Sequence, residues 1–169
     1  MGGFPGGRLG WGVSQGVGRD GGSRGDEQEE APVQVSDRVW KLVNFRKVNT
    51  GFLATAGRDG GCDIACISSL QLSDSETMTM LTGNNRTLGN LKENPNAAFI
   101  TAGGDTVEAT EGCRVYLEMT SIVEEGPVIE KGRQMIEQTV NAEAAGMITA
   151  FVTFKVTEVR PLIDMGQEI

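Results

Sequence analysis

The chain has 169 residues, a formal net charge of -8 and no histidine, with a sequence pI near 4.6. The acidic balance argues against binding nucleic acid or an anionic membrane, which requires clustered Lys and Arg. The missing histidine removes Ser/His and Cys/His nucleophile pairs, histidine-ligated zinc and histidine-ligated haem.

In chain order, residues 1 to 30 hold eleven of the 24 glycines and close in the acidic run Asp26-Glu27-Gln28-Glu29-Glu30. So little apolar surface cannot offset the entropy of ordering, and 1–34 reads as a disordered segment ahead of one domain, 35–169. Ser36 is a good N-cap for a helix carrying Val39, Trp40, Leu42, Val43 and Phe45. Gly51 to Ala56 reads as a strand, Gly57 to Gly61 as a hairpin turn, and Cys62 to Leu72 as an alternating run. Leu70, Leu72, Met78 and Met80 supply further apolar positions, and Asn96 to Thr101 is another strand. Gly103-Gly104 marks a second turn. Val115, Leu117, Met119 and Val123 alternate with polar residues, as do Ile148, Ala150, Val152, Phe154 and Val156, which predicts two long half-buried antiparallel strands. Between them Pro127 to about Asn141 reads as a helix with Ile129, Ile136 and Val140 on one side. About six such strands must close or curl to hide their edges, so a small barrel is expected.

Cys62 and Cys66 share a strand face four steps apart, too far for a disulfide, and there is no Cys-x-x-Cys pair; all three cysteines read as small, reduced, largely packed residues, and no metal site is expected. The chain has no apolar run long enough to span a bilayer and no secretory signal, so a cytoplasmic protein is the expectation.

The segment Gly83-Asn84-Asn85-Arg86-Thr87 joins a strand to the short helix Asn90-Leu91-Lys92-Glu93-Asn94-Pro95. Arg86 offers a planar cationic fork, Thr87 a hydroxyl, and a helix start has N–H groups without internal partners, a combination suited to a phosphate. Standing alone, these residues also read as a helix cap and a solvated charge. With Gly51-Phe52-Leu53-Ala54-Thr55, Arg58-Asp59-Gly60-Gly61 and Glu124-Glu125-Gly126-Pro127, in this order, the segment resembles the pyridoxamine 5'-phosphate oxidase-like family over roughly Val35 to Pro161.

The resemblance implies a mainly β fold with flanking helices, a six-stranded antiparallel split β-barrel that binds FMN. It places Arg86 and Thr87 on the FMN phosphate, Asn85 and Gly83 at its approach, and Asn90 as a brace one turn along the helix. Ala65, Cys66 and Ile67 would line the flavin ring and ribityl chain, with Ser68 or Ser69 adding a hydroxyl. It also implies a homodimer with FMN at the subunit interface. The implied activity is that of an FMN-dependent oxidoreductase acting on a small molecule, with hydride or electron transfer done mainly by the cofactor and no catalytic side chain assigned. Arg114 and Tyr116 are the polar groups considered for substrate contact. A flavin-binding or electron-carrying protein without turnover, or a deazaflavin-using relative, stays open. The arginine-rich carboxyl-terminal signature of true pyridoxamine phosphate oxidases is not evident in Glu158-Val159-Arg160-Pro161.

Overall fold

Ser36 caps the first helix by accepting a hydrogen bond from the Val39 N–H at 3.3 Å, and α1 runs over Asp37–Asn44. The computed structural model describes residues 33–47, 51–106, 108–163, 165 and 169. Most of the Gly-rich stretch expected to be disordered, residues 1–32, lies outside the described residues. Val39 and Val43 of α1 are buried, and Trp40 and Leu42 pack partly against the core. Phe45 departs from expectation. It is the C-cap of α1 and 77% exposed, because the chain leaves helical geometry before Phe45 can turn inward.

Among the described residues seven strands follow: β1 (Gly51–Ala56), β2 (Cys62–Cys66), β3 (Gln71–Leu72), β4 (Thr77–Thr82), β5 (Asn96–Gly103), β6 (Glu111–Val123) and β7 (Ala150–Pro161). All pair antiparallel in one sheet of order β2-β1-β5-β6-β7-β4-β3. The architecture is the expected one with a two-residue strand added. The run from Cys62 to Leu72 is not continuous: β2 ends at Cys66 and resumes as β3 at Gln71. Since β2 and β3 lie at opposite ends of the strand order, residues 67–70 carry the chain from one edge to the other, and the sheet stays unclosed between them.

The end of α1 bridges that gap. The Asn44 side chain accepts from the Leu72 N–H at 2.8 Å and donates to its carbonyl at 3.0 Å, acting as a strand partner for the β3 edge. Arg46 donates to the carbonyls of Ile67 and Ser68 at 3.2 and 2.9 Å and to that of Val43. Its guanidinium lies 5.2 Å from the centroid of the Phe99 ring. Gly51 is required here: a Cβ would come within 2.7 Å of both Arg46 Nε and Phe99.

The alternation read in the long strands places Val115, Leu117, Ala150, Val152, Phe154 and Val156 in the core. Val123 does not follow it. Register shifts between Tyr116 and Leu117 and between Met119 and Ser121 interrupt the β6–β7 ladder. An extra residue reverses face parity, so Ile122 packs on the core while Val123 is exposed. The turn expected at Gly103-Gly104 is a longer loop, since β6 begins only at Glu111. The helix expected from Pro127 to about Asn141 is α3 (Pro127–Thr139), and a second helix that was not expected, α4 (Ala142–Met147), follows it. Asn141 separates the two by capping α4, accepting from the Ala144 N–H at 2.8 Å. Val140 is therefore exposed rather than part of the apolar side of α3.

Candidate functional site

Helix α2 (Arg86–Glu93) begins directly after β4, as the Gly83–Pro95 pattern predicts. Its N-cap is Asn85, whose side-chain oxygen accepts from the Leu88 N–H at 3.0 Å and whose amide donates to Thr82 Oγ1 at 3.1 Å. Asn85 thereby fixes the strand-to-helix turn. Arg86, the first helical residue, is exposed and has no hydrogen-bond or ion-pair partner among the described residues. The N–H groups of Arg86 and Thr87 lie in the first turn, where no carbonyl of the same helix can reach them. A cationic fork and two donors thus stand together at the positive end of the helix.

Thr87 is placed differently from its neighbour. It is 2% exposed, and its hydroxyl donates to Asp63 Oδ2 at 3.2 Å. The single hydroxyl proton is committed to a carboxylate of β2, leaving only lone pairs for any other group. Sequence reasoning missed Asp63; its signal was a carboxylate at an inward step of the run from Cys62. Asn90 turns its amide to Thr55 Oγ1 on β1 at 3.1 Å, so it braces the helix against the sheet and not against the loop.

Gly83 sits at a close backbone approach. A Cβ there would lie 2.6 Å from the Met147 carbonyl oxygen at the end of α4. The Thr149 N–H donates to the Thr82 carbonyl at 2.9 Å, and Arg133 Nε on α3 donates to the Ile148 carbonyl at 2.9 Å. The α4–β7 junction thus presses on the start of the phosphate-like segment. Thr149 Oγ1 is buried beside it without a hydrogen-bond partner among the described residues.

The β2 positions divide between the two faces of the sheet. Ala65 pairs with Leu53 and Asp63 with Thr55, facing inward, whereas Cys66 pairs with Phe52 and Ile64 with Ala54, facing outward. Ile67 follows the strand and donates its N–H to the Gly51 carbonyl at 2.9 Å. Ser69 gives its hydroxyl to the Leu81 carbonyl at 2.6 Å, while Ser68 is exposed. All three cysteines are free thiols, but only Cys113 is packed as expected; Cys62 and Cys66 are exposed, because their shared face of β2 is the outward one. Burial pushes the Cys113 thiol up to about 11, against the lowering effect of Arg38. Burial also lowers the Arg46 guanidinium, with nearby Cys66 acting in the opposite sense. Among the described residues no group of three potential ligands is placed to hold a metal ion.

On the outward face Phe52, Ile64, Ile100, Arg114 and Tyr116 line a shallow depression of about 130 Å³. Arg114 Nε donates to the Pro161 carbonyl at 3.0 Å, so its first role is to tie β6 to the end of β7.

This topology is shared with known structures. The chain is similar to an FMN-binding protein from Syntrophomonas wolfei subsp. wolfei, at 23% identity and TM-score 0.65, with 76% of this chain and 86% of that one covered. The chain has the split-barrel fold of the pyridoxamine 5'-phosphate oxidase-like proteins. Another split barrel, an F420 reductase, matches at 16% identity and TM-score 0.55, covering 74% of this chain and 98% of that one. The heme storage protein HutZ from Vibrio cholerae matches at 15% identity and TM-score 0.50, covering 69% and 89%. No protein-family model matches the chain, and no curated protein does. Among the described residues no helix of this split barrel is long and apolar enough to cross a membrane.

Proposed function

We propose that this split barrel is a cytoplasmic FMN-dependent oxidoreductase acting on a small molecule. The observation that carries the reading is Arg86, exposed and without a partner among the described residues at the start of an eight-residue helix. Its guanidinium and the Arg86 and Thr87 N–H groups suit the phosphate of FMN. When bound, FMN supplies hydride or single-electron transfer. The protein's share is to seat and orient it. Asn85 fixes the turn, Gly83 lets the α4–β7 junction close on it, and Asn90 holds α2 to β1. Ala65 and Ile67, with backbone groups of β2, offer a wall for the ring and ribityl chain, and Ser68 an exposed hydroxyl.

Asp63 alters the expected grip. Because it takes the Thr87 proton, the phosphate load falls on Arg86 and the backbone, with Thr87 positioned behind them. Histidine-ligated haem has no ligand in this chain. We further propose that two copies pair through the outward face carrying Phe52, Ile64, Ile100 and Tyr116, an apolar patch that no other element among the described residues covers. The test is the visible spectrum of the purified protein and the identity of what denaturation releases. Bound FMN that NADH or NADPH reduces is the expected result. A flavin that no nicotinamide reduces would instead favour an electron carrier, F420 release a deazaflavin-using protein, and a colourless chain that takes up no added FMN would refute the proposal.

A further inference from the structure

At the end of α1 there is a cavity of about 350 Å³ that none of the flavin contacts above uses. Its size falls in the range of small-ligand sites. Lys41, Phe45 and Arg46 form one wall, and Thr101, Gly104 and Glu111 from the β5–β6 hairpin form the other. Lys47 also lines it and pairs with Asp105 at 3.3 Å. Three cations thus converge on one opening of a chain whose net charge is -8. Glu111 is the one carboxylate among the lining residues. Phe45, 77% exposed, gives the cavity an apolar side that the core does not use. Lys41 has no ion-pair partner among the described residues, whereas Arg46 is already spent on the carbonyls of Val43, Ile67 and Ser68.

We infer that this cavity binds a small carboxylate with an aromatic or branched apolar body, its anionic end on Lys41 and its body against Phe45. Arg46 joins the cavity to Ile67 and Ser68, the far end of β2 from Asp63. If FMN lies along β2 as proposed above, with its phosphate at Arg86 and its ring toward Ile67, the cavity opens beside the ring and its ligand is the substrate. That second part rests on the flavin reading. The first does not.

The test uses the full chain and two probes of one shape, 4-fluorobenzoate and the uncharged 4-fluorobenzamide, followed by fluorine NMR line broadening without added flavin. The carboxylate should bind more tightly than the amide. Lys41→Glu should weaken the carboxylate by about ten-fold or more, the loss expected for a charge-assisted contact turned repulsive, and leave the amide unchanged. Phe45→Ala, at an exposed position that the fold does not need, should weaken both probes. Arg86→Ala should weaken neither. Equal binding of the two probes, or carboxylate binding indifferent to Lys41→Glu, overturns the site. FMN-loaded protein then tests its place: 4-fluorobenzoate should shift the visible flavin band in the wild type and not in Lys41→Glu. A Lys41-dependent site that leaves the band unmoved keeps the anion pocket and removes it from the ring. A chain that takes up no FMN yet binds the carboxylate through Lys41 overturns the flavin reading and keeps the pocket.

Discussion

Replacing Gly83 by alanine tests whether the α4–β7 junction is pressed against the turn before α2. The added Cβ would start 2.6 Å from the Met147 carbonyl oxygen, and ordinary contact begins at 3.4 Å, so backbone must retreat by roughly 0.8 Å. Neither side is free to do so. The junction is held by the Thr149 N–H on the Thr82 carbonyl and by Arg133 on the Ile148 carbonyl, each at 2.9 Å. Forcing an extra methyl into packed backbone costs about 1–3 kcal/mol. For a domain of this size that lowers Tm by roughly 3–12 °C. Gly89→Ala is the matched control, because a Cβ there meets nothing within 4 Å and the position is inside α2, where alanine gains about 0.5–1 kcal/mol over glycine. Urea melts of the two variants should therefore move in opposite directions. Wild-type stability for Gly83→Ala alongside a stabilised Gly89→Ala would refute the close approach.

Four further outcomes are expected. Arg86→Ala should weaken FMN binding by about 1.5–3 kcal/mol, as for a lost charge-assisted hydrogen bond, with an unchanged melting curve; isothermal titration with FMN checks both the loss and its absence for riboflavin. Asp63→Asn should tighten FMN by about 1 kcal/mol, since a carboxylate no longer stands behind the phosphate position, while riboflavin affinity stays as it was; equal changes for the two ligands would show a merely structural effect. Cys113 gives a pH prediction. Burial holds its folded thiol at about 11 against an ordinary 9.0, so between those pH values the unfolded chain releases a proton that the folded chain keeps. Stability is then full below pH 9 and falls by about 2–3 kcal/mol as pH rises to 11, and denaturant melts of wild type minus Cys113→Ala should show this slope. Finally, Ile64→Asp, a charge on a side chain that is 71% exposed in the single chain, should convert a dimer to monomers in light scattering; a dimer that persists would place the interface elsewhere.

Much of the fold was legible because strand alternation is local. Val152, Phe154 and Val156 face inward as their spacing says, and Ser36 caps α1 as its chemistry says. Val123 was misread because a bulge depends on how β6 meets β7, and no period within β6 contains that information. The end of α3 was read to within two residues, and α4 was missed although Asn141 is a residue type suited to capping a new helix. At the candidate site, Asn85, Arg86 and Thr87 were recognised as a group, but only the structure distributes their work. Thr87 turns inward because Asp63, 24 positions away, accepts its proton, a tertiary contact that no spacing rule encodes. Cys62 and Cys66 were correctly put on one face by alternation but wrongly read as packed, because which face of β2 points outward is set by its register with β1.

The way Asn44 and Arg46 hold Leu72, Ile67 and Ser68 bears on how the sheet opens. Both edges of the split depend on Asn44, the last residue of the eight-residue α1, and on Arg46 just beyond it, and that end of α1 is itself held by buried Val43 and by the Thr101 hydroxyl on the Leu42 carbonyl at 3.4 Å. Amides in β2 and β3 should therefore exchange with solvent together, at a rate set by the undocking of α1 and not by fraying of either strand. Access to the interior of the split would then be governed by a helix that is not part of the sheet at all.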